Sequence, residues 1–174
     1  MKRVSWLIMV CFAMTLLVGC GPSWRDYNNE KAGFNAEFPC GPESSSDFQR
    51  ISQTASLKST TYACNVSGSR YGFSISSYSN WSPGEVTFDM EKGIKSARSS
   101  LKAAGASIVE ENEVELAGSS AHEFIADKDD VRSTLRIFVD MDEMKIYTAE
   151  VARKGNKASG EDGERFFKSI EIIE

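Results

Sequence analysis

Between residues 131 and 151 apolar side chains recur at every second position. Leu135, Ile137 and Val139 share one face of the first run, and Tyr147, Ala149 and Val151 share one face of the second. A period of two fits a strand half-buried in a sheet and does not fit a helix. Only the acidic stretch Asp140-Met141-Asp142-Glu143 separates the runs. A connection that short forces the two strands to be antiparallel, because a parallel pair needs a crossover of a dozen residues or more.

The rest of the chain extends this pattern. Phe34, Ala36 and Phe38 alternate, and Pro39-Cys40-Gly41-Pro42 stops the run. Residues 43–55 are polar and Ser-rich and read as a loop. Leu57 to Val66 and a run through Tyr71, Phe73 and Ile75 flank Ser67-Gly68-Ser69, which predicts a hairpin. Ile108 to Leu116 and Ala121 to Ala126 read as strands around Gly118. The charged stretch 127–130 reads as another turn. Met90, Ile94, Ala97, Leu101 and Ala104 have helical spacing. They predict a helix from about Thr87, as N-cap, to Ala104, with Gly105 closing it. Ser159 opens a short helix through Phe166 and Phe167, and Ile170 to Ile173 is a last strand. The order is β, ββ, α, ββββ, α, β. Two helices cannot cover both faces of a doubly wound sheet, so the expected class is α+β: an antiparallel sheet with one long and one short helix packed on it.

The N-terminus carries a different signal. Lys2 and Arg3 precede an apolar run from Val4 to Val18, 15 residues, short of the ~20 needed to span a bilayer as a helix. A charged start, a short apolar core and a small-residue exit describe a secretory signal peptide. The exit, Leu17-Val18-Gly19-Cys20, resembles the lipobox of bacterial lipoproteins. That resemblance implies cleavage after Gly19 and acylation of Cys20, which becomes the first mature residue. Two or three acyl chains, at about 0.8 kcal/mol per buried CH₂, hold a protein at the bilayer durably. Gly21 in place of Asp favours the outer membrane, facing the periplasm, if the envelope is Gram-negative. The expected layout is a lipoprotein signal peptide over 1–19, a lipidated N-terminus and short tether over 20–31, and a single α+β domain over 32–174.

Of four cysteines, Cys11 leaves with the signal and Cys20 takes lipid. Cys40 and Cys64 remain, in a compartment that permits disulfides. A bridge is the favoured reading, with a reactive thiol or a metal ligand as alternatives. One histidine, His122, and no Cys-x-x-Cys leave a metal site short of ligands.

The mature chain, from about residue 30 to 174, resembles the PsbP-like α/β/α sandwich family, including the small bacterial lipoproteins called DcrB-like. The resemblance is carried by Phe34, Phe38 and Pro39, by Tyr71 and Phe73 in the hairpin, and by Leu116 and Gly118. Ile146, Tyr147 and Val151 in a late strand and Arg165 to Ile170 before the last one complete it. It implies an α/β/α sandwich and a non-catalytic assembly or binding role. It supplies no catalytic residues, and a fold does not fix a function.

Removing residues 1–19 takes away two basic residues and no acid, so the net charge falls from −5 to −7. That balance argues against nucleic acid as a partner. No phosphate loop or nucleophile elbow is present. His122 beside Glu123 reads as a polar strand residue, and the acidic turns lack calcium-loop spacing. No cofactor or metal is expected. Trp81, in a loop of Asn, Ser, Pro and Gly, and Asp127, Asp129 and Asp130 are the candidate partner-binding residues. The expected function is that of a non-catalytic envelope factor: anchored to the lipid bilayer through Cys20, not an enzyme, and binding a protein partner. A small-ligand or metal-ion binding lipoprotein is the alternative.

Overall fold

A computed structural model of the chain describes residues 23–51, 55–79 and 89–173. Ten strands alternate with two helices in it: β1 (Arg25–Asn29), β2 (Phe34–Phe38), β3 (Glu43–Arg50), β4 (Ser56–Val66), β5 (Ser69–Ser79), α1 (Met90–Ala103), β6 (Ser107–Leu116), β7 (Ser119–Lys128), β8 (Val131–Asp140), β9 (Lys145–Lys154), α2 (Gly160–Lys168) and β10 (Glu171–Ile172). The strands form a seven-stranded sheet, β3-β4-β5-β9-β8-β7-β6, and a three-stranded sheet, β1-β2-β10, both antiparallel throughout.

Turn chemistry sets the large sheet's register. Val66 faces Ser69 and Leu116 faces Ser119, so each hairpin turns on two residues. Ser67 and Gly68, and likewise Ala117 and Gly118, all have positive φ. That is the type I′ geometry whose twist matches the flanking strands.

The small sheet and α2 cover one face of the large sheet, and the core lies between them. Phe34 of β2 sits 4.9 Å from Tyr62 and 4.8 Å from Phe73, ring centre to ring centre. Phe38 meets Phe166 of α2 at 5.1 Å, and Phe138 stacks on Tyr147 at 4.6 Å. Arg136, on this same face, bonds Glu123 at 2.7 Å and Glu164 of α2 at 2.8 Å and lies 4.1 Å over the Phe167 ring.

The opposite face is treated differently. α1 crosses it near Val139, whose Cγ2 would stand 3.3 Å from a Cβ added at Gly93. No residue of α1 is buried. The helix begins at Met90, capped by Asp89, whose carboxylate accepts from the Lys92 amide at 2.7 Å. The expected cap, Thr87, lies outside the described residues.

These facts correct the expected class. The fold is β-rich, with two antiparallel sheets and two short helices among the described residues, and is not an α/β/α sandwich built on a long helix. α1 has 14 residues and encloses no second core, because its apolar side, Met90, Ile94, Ala97 and Leu101, is only half-buried. Two strands also go beyond the expected order. β1 lies within the stretch read as a tether, and Trp24 beside it packs edge-on against Tyr71 at 5.7 Å. β3 lies within the stretch read as a Ser-rich loop.

Candidate functional site

The expected site residues fall in three places. Cys20 and Trp81 lie outside the described residues. Cys40 and Cys64 form a disulfide with Cα atoms 5.9 Å apart. Because Cys40 follows β2 and Cys64 belongs to β4, the bridge ties the small sheet to the large one.

The acidic turn residues are partly engaged. Both Asp127 oxygens accept from Arg132, at 2.7 and 2.8 Å, and these bonds hold its carboxyl below the usual range. Asp129 occupies the left-handed turn position, φ 54°. The Asp130 carbonyl accepts from the Gly155 amide at 2.6 Å. The turn is therefore braced against the neighbouring loop. Asp129 and Asp130 form no ion pair among the described residues.

His122 faces the α1 side of the sheet. Its Nε2 lies 3.0 Å from Glu111, whose carboxylate also takes two bonds from Arg98 of α1, at 2.9 and 2.6 Å. The Arg98 hydrogen bonds, helped by His122, pull the Glu111 carboxyl down to about 2. This trio holds α1 against β6. Among the described residues no group of three His, Cys, Asp or Glu side chains could hold a metal ion, and no helix is long and apolar enough to cross a membrane.

Two surface features of the described residues bear on function. A cleft of about 440 Å³ lies between α1 and the sheet, floored by Ile137, Val139 and Ile146 and edged by Ser76, Thr148 and Lys92. The second is β3. It forms one edge of the large sheet, and every one of its eight residues is exposed. Both of its faces meet water, and among the described residues nothing pairs with its outer side. Beyond the β4 ladder, a side-chain bond between Ser46 and Thr60 at 3.1 Å ties it to its neighbour. Phe48, two residues from its end, is 65% exposed.

The two edges of the sheet are not alike. At the far edge, β6 presents Glu110, Glu111, Glu113 and Glu115 and breaks register between Ile108 and Glu110. Charges and bulges are the usual protection of an edge against pairing with another chain. β3 carries fewer charges, Glu43, Asp47 and Arg50, has no proline, no lysine and no bulge, and its register with β4 runs unbroken from Glu43 to Arg50. An open, regular edge can accept main-chain hydrogen bonds from a further strand.

Sequence reasoning missed β3 for a physical reason. The period-two signal exists because one face of a strand is buried. A strand with both faces in water carries no such signal, and Glu-Ser-Ser-Ser-Asp-Phe-Gln-Arg shows none. Phe48 alone, a large apolar residue among serines, was a trace of it.

Compared with models of known protein families the chain matches none, and it matches no curated protein.

Proposed function

We propose that this protein is a lipid-anchored factor of the cell envelope that acts by binding another protein and catalyses no reaction. The lipobox-like sequence ending at Cys20 supports the anchor, and Gly21 favours the outer membrane. The observation that carries the binding role is β3: a regular, unbulged strand at the edge of the sheet, exposed along its whole length and bearing an exposed aromatic ring. A solvated edge with an aromatic anchor is a surface on which a partner gains both main-chain bonds and apolar burial. A lipid anchor and a short connection keep the fold near the membrane surface.

The cleft beside α1 favours a second reading, a small-ligand lipoprotein, because a concave site with an apolar floor and a polar rim is the usual form of a ligand pocket.

The test places a photo-crosslinking amino acid at position 48 of the full-length protein in its native membranes, with position 141 as the control. Met141 is 50% exposed, on the turn after β8. The reading expects one discrete protein adduct at 48 and none at 141. No adduct at 48, with the protein present in the membrane, contradicts it. Radioactive palmitate should label the native protein and not Cys20→Ser; equal labelling contradicts the anchor.

A further inference from the structure

Resting on the protein-binding reading, we infer that β3 is a strand-addition site, and that its occupant is an extended segment of a different protein carrying cationic side chains on one face. The register assigns the faces. Glu43 and Asp47 of β3 lie in the same cross-sheet rows as Glu150 and Val139, which is the α1 side. Phe48 and Arg50 point to the other side, in line with Lys58 and Ser56 of β4. Glu43, Asp47 and Arg50 form no ion pair among the described residues. The edge therefore offers two unpaired carboxylates four residues apart on one face and an aromatic ring on the other. Directly opposed side chains on neighbouring strands interact, favourably for opposite charges and unfavourably for like charges. A complementary strand places Lys or Arg opposite the two acids and apolar residues beside Phe48.

A second copy of this chain gains no such complementarity. Two β3 edges related by a two-fold axis run antiparallel, and the axis stands perpendicular to the sheet, so each face is continuous with its own copy. Opposed residues must then share a face. Glu43 and Asp47 are on one face and Arg50 on the other, so no symmetric register sets an acid against Arg50. Centring the pair on Asp47 opposes two aspartates, centring it on Ser45 opposes Glu43 and Asp47, and centring it on Ser46 or Phe48 opposes no two charges, so no symmetric register gains a charge pair. The net charge, −7 once residues 1–19 are removed, further disfavours self-association.

The experiment uses the purified full-length protein in detergent and a labelled peptide alternating lysine with valine. Three control peptides replace lysine by glutamate, or carry N-methyl groups on one or the other alternate set of amides. We expect the lysine peptide to bind, and the glutamate peptide to bind at least roughly tenfold more weakly. One N-methylated set should lose binding and the other keep it, because a strand uses only the amides on one edge. Asp47→Lys, which leaves one charge of each sign on that face, should abolish the preference between lysine and glutamate peptides, and circular dichroism checks that this exposed variant folds. Absence of binding by the lysine peptide overturns the inference. So does binding indifferent to both N-methyl sets, or to the sign of residue 47. A crosslink at position 48 accompanied by any of these results leaves protein binding standing and removes strand addition.

Discussion

Arg136 illustrates how much one side chain can carry in this fold. Its side chain is 10% exposed and that of Glu123 8%, so the pair sits inside the protein with Glu164 closing the far side. Removing one partner of a buried pair leaves an uncompensated charge, which costs about 3–5 kcal/mol. Glu123→Ala should therefore lower stability by about 3 kcal/mol in urea unfolding. A loss below about 1 kcal/mol would mean that Glu164 and the Phe167 ring suffice to hold Arg136. Glu111 gives a prediction with a sign. Its carboxyl lies at about 2, against an ordinary 4.5, because Arg98 and His122 bond the charged form. A depressed carboxyl contributes stability that is complete above the unfolded value and is lost as pH falls from about 4.5 through about 2. Arg98→Ala should return the Glu111 carboxyl toward 4.5 in an NMR titration and remove that part of the acid sensitivity. An unshifted carboxyl would show that Arg98 is not what holds it.

At the scale of elements, the two helices should differ in how readily they open. α2 buries Gly163, Phe166 and Phe167, whereas α1 buries nothing. Local opening follows buried apolar contact, so amides of Met90–Ala103 should exchange with deuterium well before those of Gly160–Lys168. Equal rates would contradict the loose docking of α1. The same contrast explains which elements the sequence revealed. β2, β4, β5 and β9 each turn alternating apolar residues into the core, whereas in β8 the alternating set Leu135, Ile137 and Val139 lies on the α1 side and the core face carries Thr134, Arg136 and Phe138. α1 was legible from Met90, Ile94, Ala97 and Leu101, but its spacing could not tell a half-buried helix from one that closes a core layer. The expectation of a sandwich failed there. β1 and β3 were not legible, because strands in polar surroundings carry no period. The turn at 127–130 was legible as acidic, while the bonds from Arg132 to Asp127 depend on a cross-strand placement that a linear reading does not supply.

Across the whole molecule, the Cys40–Cys64 bridge and the aromatic core join two sheets that would otherwise meet only by packing. The bridged residues are 24 apart, and a loop of that length gives about 3.5 kcal/mol of stabilisation by restricting the unfolded chain. Reduction should lower the unfolding free energy by about that amount, and mass mapping without reductant should recover the linked pair. Free thiols at both positions would contradict the bridge. The spacing between β3 and the acidic turn also separates two accounts of where a partner sits. β3 is at one edge of the seven-stranded sheet, and the turn joins β7 to β8 near the other. The central claim is that the open edge is where another protein binds, and amide exchange tests it most directly. Exchange is followed over residues 43–50 and 127–130 in the purified protein and in the same protein held by its crosslinked envelope partner. The account predicts fast exchange of alternate amides in 43–50 when free, protection of those amides in the complex, and no change at 127–130. Unchanged exchange at 43–50 with new protection at 127–130 would place the partner on the acidic turn and contradict it.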